Sequence, residues 1–169
     1  MKRSCMAALL MACMLVFGCN QKTTAPTMAD GSKNMIMVLF DRGIEDSFTP
    51  KQVEWRNEVG TFMEADLVNR LNRTGYSARL IQARSEYTPA KGVYLLPVKI
   101  TSYNPGSQAA RYLVGFGAGA CGLDIHYELI DDSNTVLISM DDGAGSSRGW
   151  RPCVQKLDNN IVAAIGYKL

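Results

Sequence analysis

Three glycines in the run RYLVGFGAGACGLDIHYEL, Gly117, Gly119 and Gly122, have the G-x-G-x-x-G spacing of a phosphate-cradling loop. In dinucleotide-binding proteins that spacing carries the chain from a strand into a helix whose N-terminal amides hold a pyrophosphate. Here Cys121, Leu123, Ile125, Tyr127 and Leu129 alternate with Gly122, Asp124, His126, Glu128 and Ile130, which is strand period. No helix start follows, so no nucleotide is expected. A kinase-type glycine loop does lie between strands, but it needs a reactive lysine and the H-R-D and D-F-G partners, which this chain lacks. The glycines read instead as strand positions that allow bulging and close backbone approach, with Phe116 packed over the gap. A second use of the same surface is to receive a partner segment.

Asp124, His126 and Glu128 lie two residues apart, so in a strand all three project from one face. Oxygen and imidazole ligands there are the chain's one candidate for a metal or small-ligand activity. The competing reading is a solvated face of ordinary polar residues, and side chains at this spacing diverge more easily than they converge. His126 is the single histidine, so neither a Ser-His-Asp triad nor a two-histidine zinc site can be built without it. Asp131-Asp132 and Asp141-Asp142 lack the spacing of a calcium loop. Arg148, Trp150 and Arg151 are of the types enriched at binding hot spots; alternatively Trp150 staples the last helix to the sheet. No catalytic residue, metal ligand or cofactor is assigned, and the expectation is a protein that is not an enzyme.

The N-terminus states an address. Met1-Lys2-Arg3, an apolar run from Met6 to Phe17 and then Gly18-Cys19 make a secretory signal over residues 1–18. The apolar run is too short for a spanning helix, which needs roughly 20 residues. Val16-Phe17-Gly18-Cys19 resembles the lipobox at which bacterial lipoproteins are cut and their cysteine acylated. By the same resemblance Asn20 favours the outer membrane, with the protein facing the periplasm. Acyl chains on Cys19 would anchor it, at about 0.8 kcal/mol per buried methylene.

Residues 20–34, NQKTTAPTMADGSKN, have no apolar periodicity and read as a tether behind the lipidated Cys19. Residues 35–169 suit one globular domain. Removing the signal takes Lys2 and Arg3 from the 18 basic residues and leaves 16 against 16 acidic. A neutral chain without a basic patch is not expected to bind nucleic acid. Of five cysteines, Cys5 and Cys13 leave with the signal and Cys19 carries lipid. Cys121 and Cys153 remain as a candidate disulfide, or as two buried reduced thiols.

The elements that position these residues follow from local pattern. Met35–Phe40 is a continuous apolar run, the mark of a strand buried on both faces. Thr49-Pro50-Lys51-Gln52 predicts a helix start with a capping box. Trp55, Val59, Phe62, Met63, Leu67 and Leu71 then form an apolar stripe that ends at Gly75. Strands are predicted over 76–83, 92–103, 121–130 and 135–140, with Pro97 at an edge, a bulge or a non-bonding position. Residues 142–149 read as a Gly/Ser-rich loop, and Val154, Leu157, Ile161 and Ile165 predict a final amphipathic helix. The order β-α-β-β-β-β-α implies an α/β (α+β) sandwich: a mixed, largely antiparallel sheet packed by two helices.

Arg111, Leu113, Val114, Gly115, Phe116, Gly117, Ala118, Gly119, Leu123, Leu129 and Asp131 together resemble the signature of a bacterial lipoprotein family, domain of unknown function 4410. The upstream ITSYNPGSQAAR fits that family's strand, Pro-Gly turn and arginine. The chain departs from it in the hairpin turn, DDSNT where Thr-Gly is common, and in Cys121 and Cys153. The resemblance implies an exported, usually lipid-anchored α/β domain with no catalytic motif to carry over. The function expected is therefore that of an envelope lipoprotein docking another envelope protein, with Arg111, Phe116, Gly117, Gly119, Arg148, Trp150 and Arg151 as its candidate contact residues.

Overall fold

The apolar run that opens the domain forms β1 (Met35–Asp41), in which Ile36, Met37 and Val38 are completely buried. The computed structural model describes residues 34–106 and 119–169. The signal, Cys19, the tether up to residue 33, and Arg111, Phe116 and Gly117 of the glycine run lie outside the described residues. After β1 comes α1 (Pro50–Arg73), started by the capping box that its sequence predicts. Gln52 N–H donates to Thr49 Oγ1 at 3.3 Å, and Thr49 N–H donates to Gln52 Oε1 at 2.8 Å. Gly75, at φ +94°, turns the chain out of the helix.

β2 (Ser77–Ile81), β3 (Val93–Asn104), β4 (Cys121–Ile130) and β5 (Val136–Ser146) follow, and α2 (Trp150–Lys168) closes the chain. The sheet order is β2-β1-β3-β4-β5. β1 pairs in parallel with β2 and β3, while the β3–β4 and β4–β5 pairs are antiparallel. This is the mixed sheet with two helices that the element order implies.

Alternation decides what each face meets. Ile36 and Val38, Leu96, Val98 and Ile100, and Leu123, Ile125, Tyr127 and Leu129 point to the helices. There they pack on Val59, Met63, Leu67 and Leu71 of α1 and on Val154, Leu157, Ile161 and Ile165 of α2. A smaller cluster on the opposite face joins Met35, Met37, Ile81, Val93, Leu95 and Ile130 under Tyr87 of the β2–β3 connection. The Tyr87 hydroxyl donates to Asp131 O at 2.9 Å, fastening that connection to the β4–β5 turn.

One local expectation is met and another changes. Pro97 sits in a central strand, where the β3–β4 pairing passes from Leu95↔Ile130 to Val98↔Tyr127 without a partner for Pro97; it occupies a non-bonding position. The Gly/Ser-rich stretch read as a loop is instead strand as far as Ser146, because β4 pairs with it down to Cys121↔Ser146. A Cβ at Gly143 would stand 2.6 Å from the carboxylate of Asp124, an exposed side chain that can turn aside.

Candidate functional site

The Arg148–Trp150–Arg151 cluster is built by the junction of β5 and α2. Gly149, at φ +102°, breaks the strand direction, and Trp150 is the first residue of α2. Its indole meets Phe62 of α1 edge to face, with centroids 5.3 Å apart and planes at 78°. The Arg151 guanidinium lies 5.5 Å from the Phe62 ring centre and 5.4 Å from that of Trp150. Trp150 is thus a staple and a half-exposed ring at once, while Arg148 and Arg151 remain exposed. Gly119, at φ +72°, lies beside the start of β4, and its carbonyl is so close to Gly106 that a Cβ there would stand 2.3 Å away. The two ends of the glycine segment are therefore held against each other.

On the sheet face away from the helices, register sets Asp41, Lys99, His126 and Asp141 side by side across β1, β3, β4 and β5. Lys99 Nζ is 3.4 Å from Asp41, and His126 Nδ1 is 2.8 Å from Asp141 Oδ1. Glu128 stands 3.7 Å from the other ring nitrogen, His126 Nε2. Asp124 does not join them, because its carboxylate is turned onto Gly143. Asp141, which spacing alone did not place, occupies the position expected of Asp124. Among the described residues no group of three His, Cys, Asp or Glu side chains is arranged to hold a metal. The row is a line of cross-strand polar contacts on a solvated face. His126→Ala is expected to change stability by less than about 1 kcal/mol, as exposed pairs do; a larger loss in urea unfolding would reveal a structural role.

Cys121 and Cys153 are both buried and stand as two thiols, not as a bond. Cys153 Sγ faces backbone carbonyls, those of Cys121 and Gly149, at 3.9 Å each. Burial raises the Cys153 thiol above its ordinary pKa, which keeps it protonated and unreactive at neutral pH.

Two buried ionisable residues escaped the sequence reading. Arg56 of α1 is 7% exposed, and Asp158 of α2 is not exposed at all. Each sits on its helix's buried stripe: Arg56, Val59, Gly60, Met63, Leu67 and Leu71 in α1, and Val154, Leu157, Asp158, Ile161 and Ile165 in α2. Helical spacing alone marks both, since each lies three or four residues from a core position.

Among the described residues no helix is long and apolar enough to cross a membrane. A PelC variant from Paraburkholderia phytofirmans, solved as a dodecamer, is similar to this chain at 17% identity. That match has a TM-score of 0.49 and covers 84% of this chain and 91% of the other. A homologue of neuraminyllactose-binding hemagglutinin from Helicobacter pylori is similar at 10% identity and TM-score 0.43, covering 87% of this chain and 90% of the other. No curated protein matches the chain. The family model of domain of unknown function 4410 (DUF4410) matches residues 27–149, and the chain belongs to that family.

Proposed function

We propose that this protein is a non-enzymatic lipoprotein of the bacterial envelope, anchored through acylated Cys19 in the outer membrane and facing the periplasm, whose domain docks another envelope protein. The observation that carries the docking is the Phe62–Trp150–Arg151 stack. Aromatic and arginine side chains held rigid before binding lose little entropy on contact, and such residues dominate interface energies. The anchor rests on the positively charged start, the short apolar run and Gly18-Cys19. A neutral mature chain of 16 basic and 16 acidic residues gives nucleic acid no electrostatic hold.

Crosslinking in intact envelopes followed by capture tests both parts. A single stoichiometric partner is expected with the wild type, and Arg151→Glu, at an exposed position, is expected to lose it while the fold is kept. Trp150→Ala should weaken the purified pair by about 2 kcal/mol or more, roughly thirtyfold. Radiolabelled palmitate should enter the wild type and not Cys19→Ala. Equal capture by wild type and Arg151→Glu would remove the docking reading, and label retained in Cys19→Ala would remove the anchor.

A further inference from the structure

Arg56 is the only buried basic side chain among the described residues. Its Nη1 donates to Arg42 O at 3.1 Å and to Ile100 O at 2.9 Å, tying the connection after β1 to β3. That nitrogen is walled in: a Cβ on Gly43 would stand 2.7 Å from it. Nε and Nη2 have no acceptor among the described residues, and no carboxylate oxygen there comes within 4.0 Å of the guanidinium. Glu45 and Asp41 act on it only from farther away. A buried cation whose counter-charges lie only at a distance is costly, so a directly paired anion would relieve it.

The guanidinium borders a cavity of about 80 Å³ lined by Phe48, Gln52, Trp55, Arg56, Tyr103 and Pro105. Its walls are rings and donors. Phe48 lies 5.1 Å from the guanidinium carbon. The Gln52 amide oxygen is already engaged by Thr49 N–H and Oγ1 at 2.8 Å each, which leaves its NH2 as a donor. Burial pushes the Tyr103 phenol well above its ordinary pKa, so its hydroxyl stays a donor, and it has no acceptor among the described residues. Residues 107–118, SQAARYLVGFGA, contain no acid, and residues 1–33 contain one, Asp30.

We propose that this cavity binds a carboxylate group, with Arg56 pairing to its oxygens and Gln52 and Tyr103 donating beside it. Pockets for drug-sized ligands measure about 300–1,000 Å³, so this one admits a carboxylate head and a carbon or two. Two sources present that chemistry: a free small acid, and an Asp or Glu side chain or C-terminus of a partner. The site stands whether or not the Trp150 surface docks a protein.

Trp55 lines the cavity and the chain's other tryptophan is Trp150, so Trp150→Phe makes Trp55 emission a reporter in the full chain. Acetate at constant ionic strength is expected to change that emission saturably, and acetamide to leave it unchanged. Gln52→Glu keeps the capping box, because Glu serves at that position, and it places a competing charge at the cavity. Acetate affinity should then fall at least tenfold, and fall likewise in Arg56→Lys. N-acetyl-glycylglycine and amidated N-acetyl-Gly-Asp-Gly distinguish the sources: tenfold tighter binding of either peptide than of acetate assigns the site to a partner's carboxylate, and parity assigns it to a free acid. Equal responses to acetate and acetamide, or unchanged acetate affinity in Gln52→Glu, would overturn the proposal. Partner capture by Arg151→Glu is read separately, so failure of one claim is not failure of the other.

Discussion

Gly43→Ala is expected to destabilise the protein by about 3 kcal/mol, the sum of left-handed strain and a backbone clash. Gly43 has φ +59°, where an L side chain is strained. Its added Cβ would also stand 2.0 Å from Ile100 O, a main-chain atom of the central strand β3 that cannot turn aside. The clash falls where Arg56 Nη1 meets the same carbonyl, so relieving it must loosen the wall of the carboxylate cavity too. Urea unfolding reads the loss as a lower midpoint at unchanged slope. Gly75→Ala is the control: its φ is +94°, but nothing lies within 4 Å of the new Cβ. Strain alone should cost that variant about 1 kcal/mol. Equal losses in the two variants would show that close approach to β3 contributes nothing.

That close approach was not legible in the sequence, whereas much of the fold was, and the difference lies in how local each signal is. The Thr49–Gln52 capping box and the Met35–Phe40 apolar run are set within a few residues; the box forms as read, and the run forms a strand buried through Val38, with Leu39 and Phe40 half-buried. The α2 stripe of Val154, Leu157, Ile161 and Ile165 is buried at every position. α1 is turned slightly from the stripe its large apolar residues suggest. Trp55 and Phe62 are half-buried, and Arg56 and Gly60 take the core side. A charged residue at a core spacing is the signal for the Arg56 cavity, though its donors come from α1 and β3, far apart in sequence. The end of β5 is strand by pairing, not by pattern, since Asp142-Gly143-Ala144-Gly145-Ser146 has neither alternation nor β-branched residues.

The polar face shows the limit most sharply. A register shift between Leu129 and Ile130 moves the β4–β5 pairing by one residue. Beyond that bulge His126 opposes Asp141; without it the same count would set His126 against Met140 and send Asp141 to the helix side. Counting back from the turn therefore misplaces the carboxylate that meets the imidazole. Trp150 and Arg151 were legible as residue types, but the ring they stack on, Phe62, comes from the first helix.

Asp158 is expected to make stability fall as pH rises through the neutral range, and Asp158→Asn to abolish that slope. Both carboxyl oxygens are buried, and as a carboxylate Asp158 finds no donor among the described residues. As an acid it has an acceptor in Asp66 of α1, whose other contacts include Arg70 Nε at 2.6 Å. Burial is the chief cause of the shift, the Asp66 hydrogen bond and charge add to it, and Arg70 opposes it; the group is pushed up to about 9. The sign follows from comparing the two states. In the unfolded chain the group ionises near 3.8, so below that pH both states are protonated and its contribution to folding is fully present. Between 3.8 and about 9 the unfolded state releases a proton that the folded state keeps, and stability drops by about 1.4 kcal/mol per pH unit. From pH 4 to 7 the loss is at most about 4 kcal/mol, less whatever the helices regain by letting water reach the pair. Asparagine is nearly isosteric, neutral at every pH, and can donate its NH2 to Asp66. Urea unfolding of wild type and Asp158→Asn at pH 5, 6, 7 and 8 should give curves that diverge, the variant becoming the more stable as pH rises. Parallel curves would mean that Asp158 ionises inside the fold without penalty, and that α1 and α2 admit water where the structure closes them.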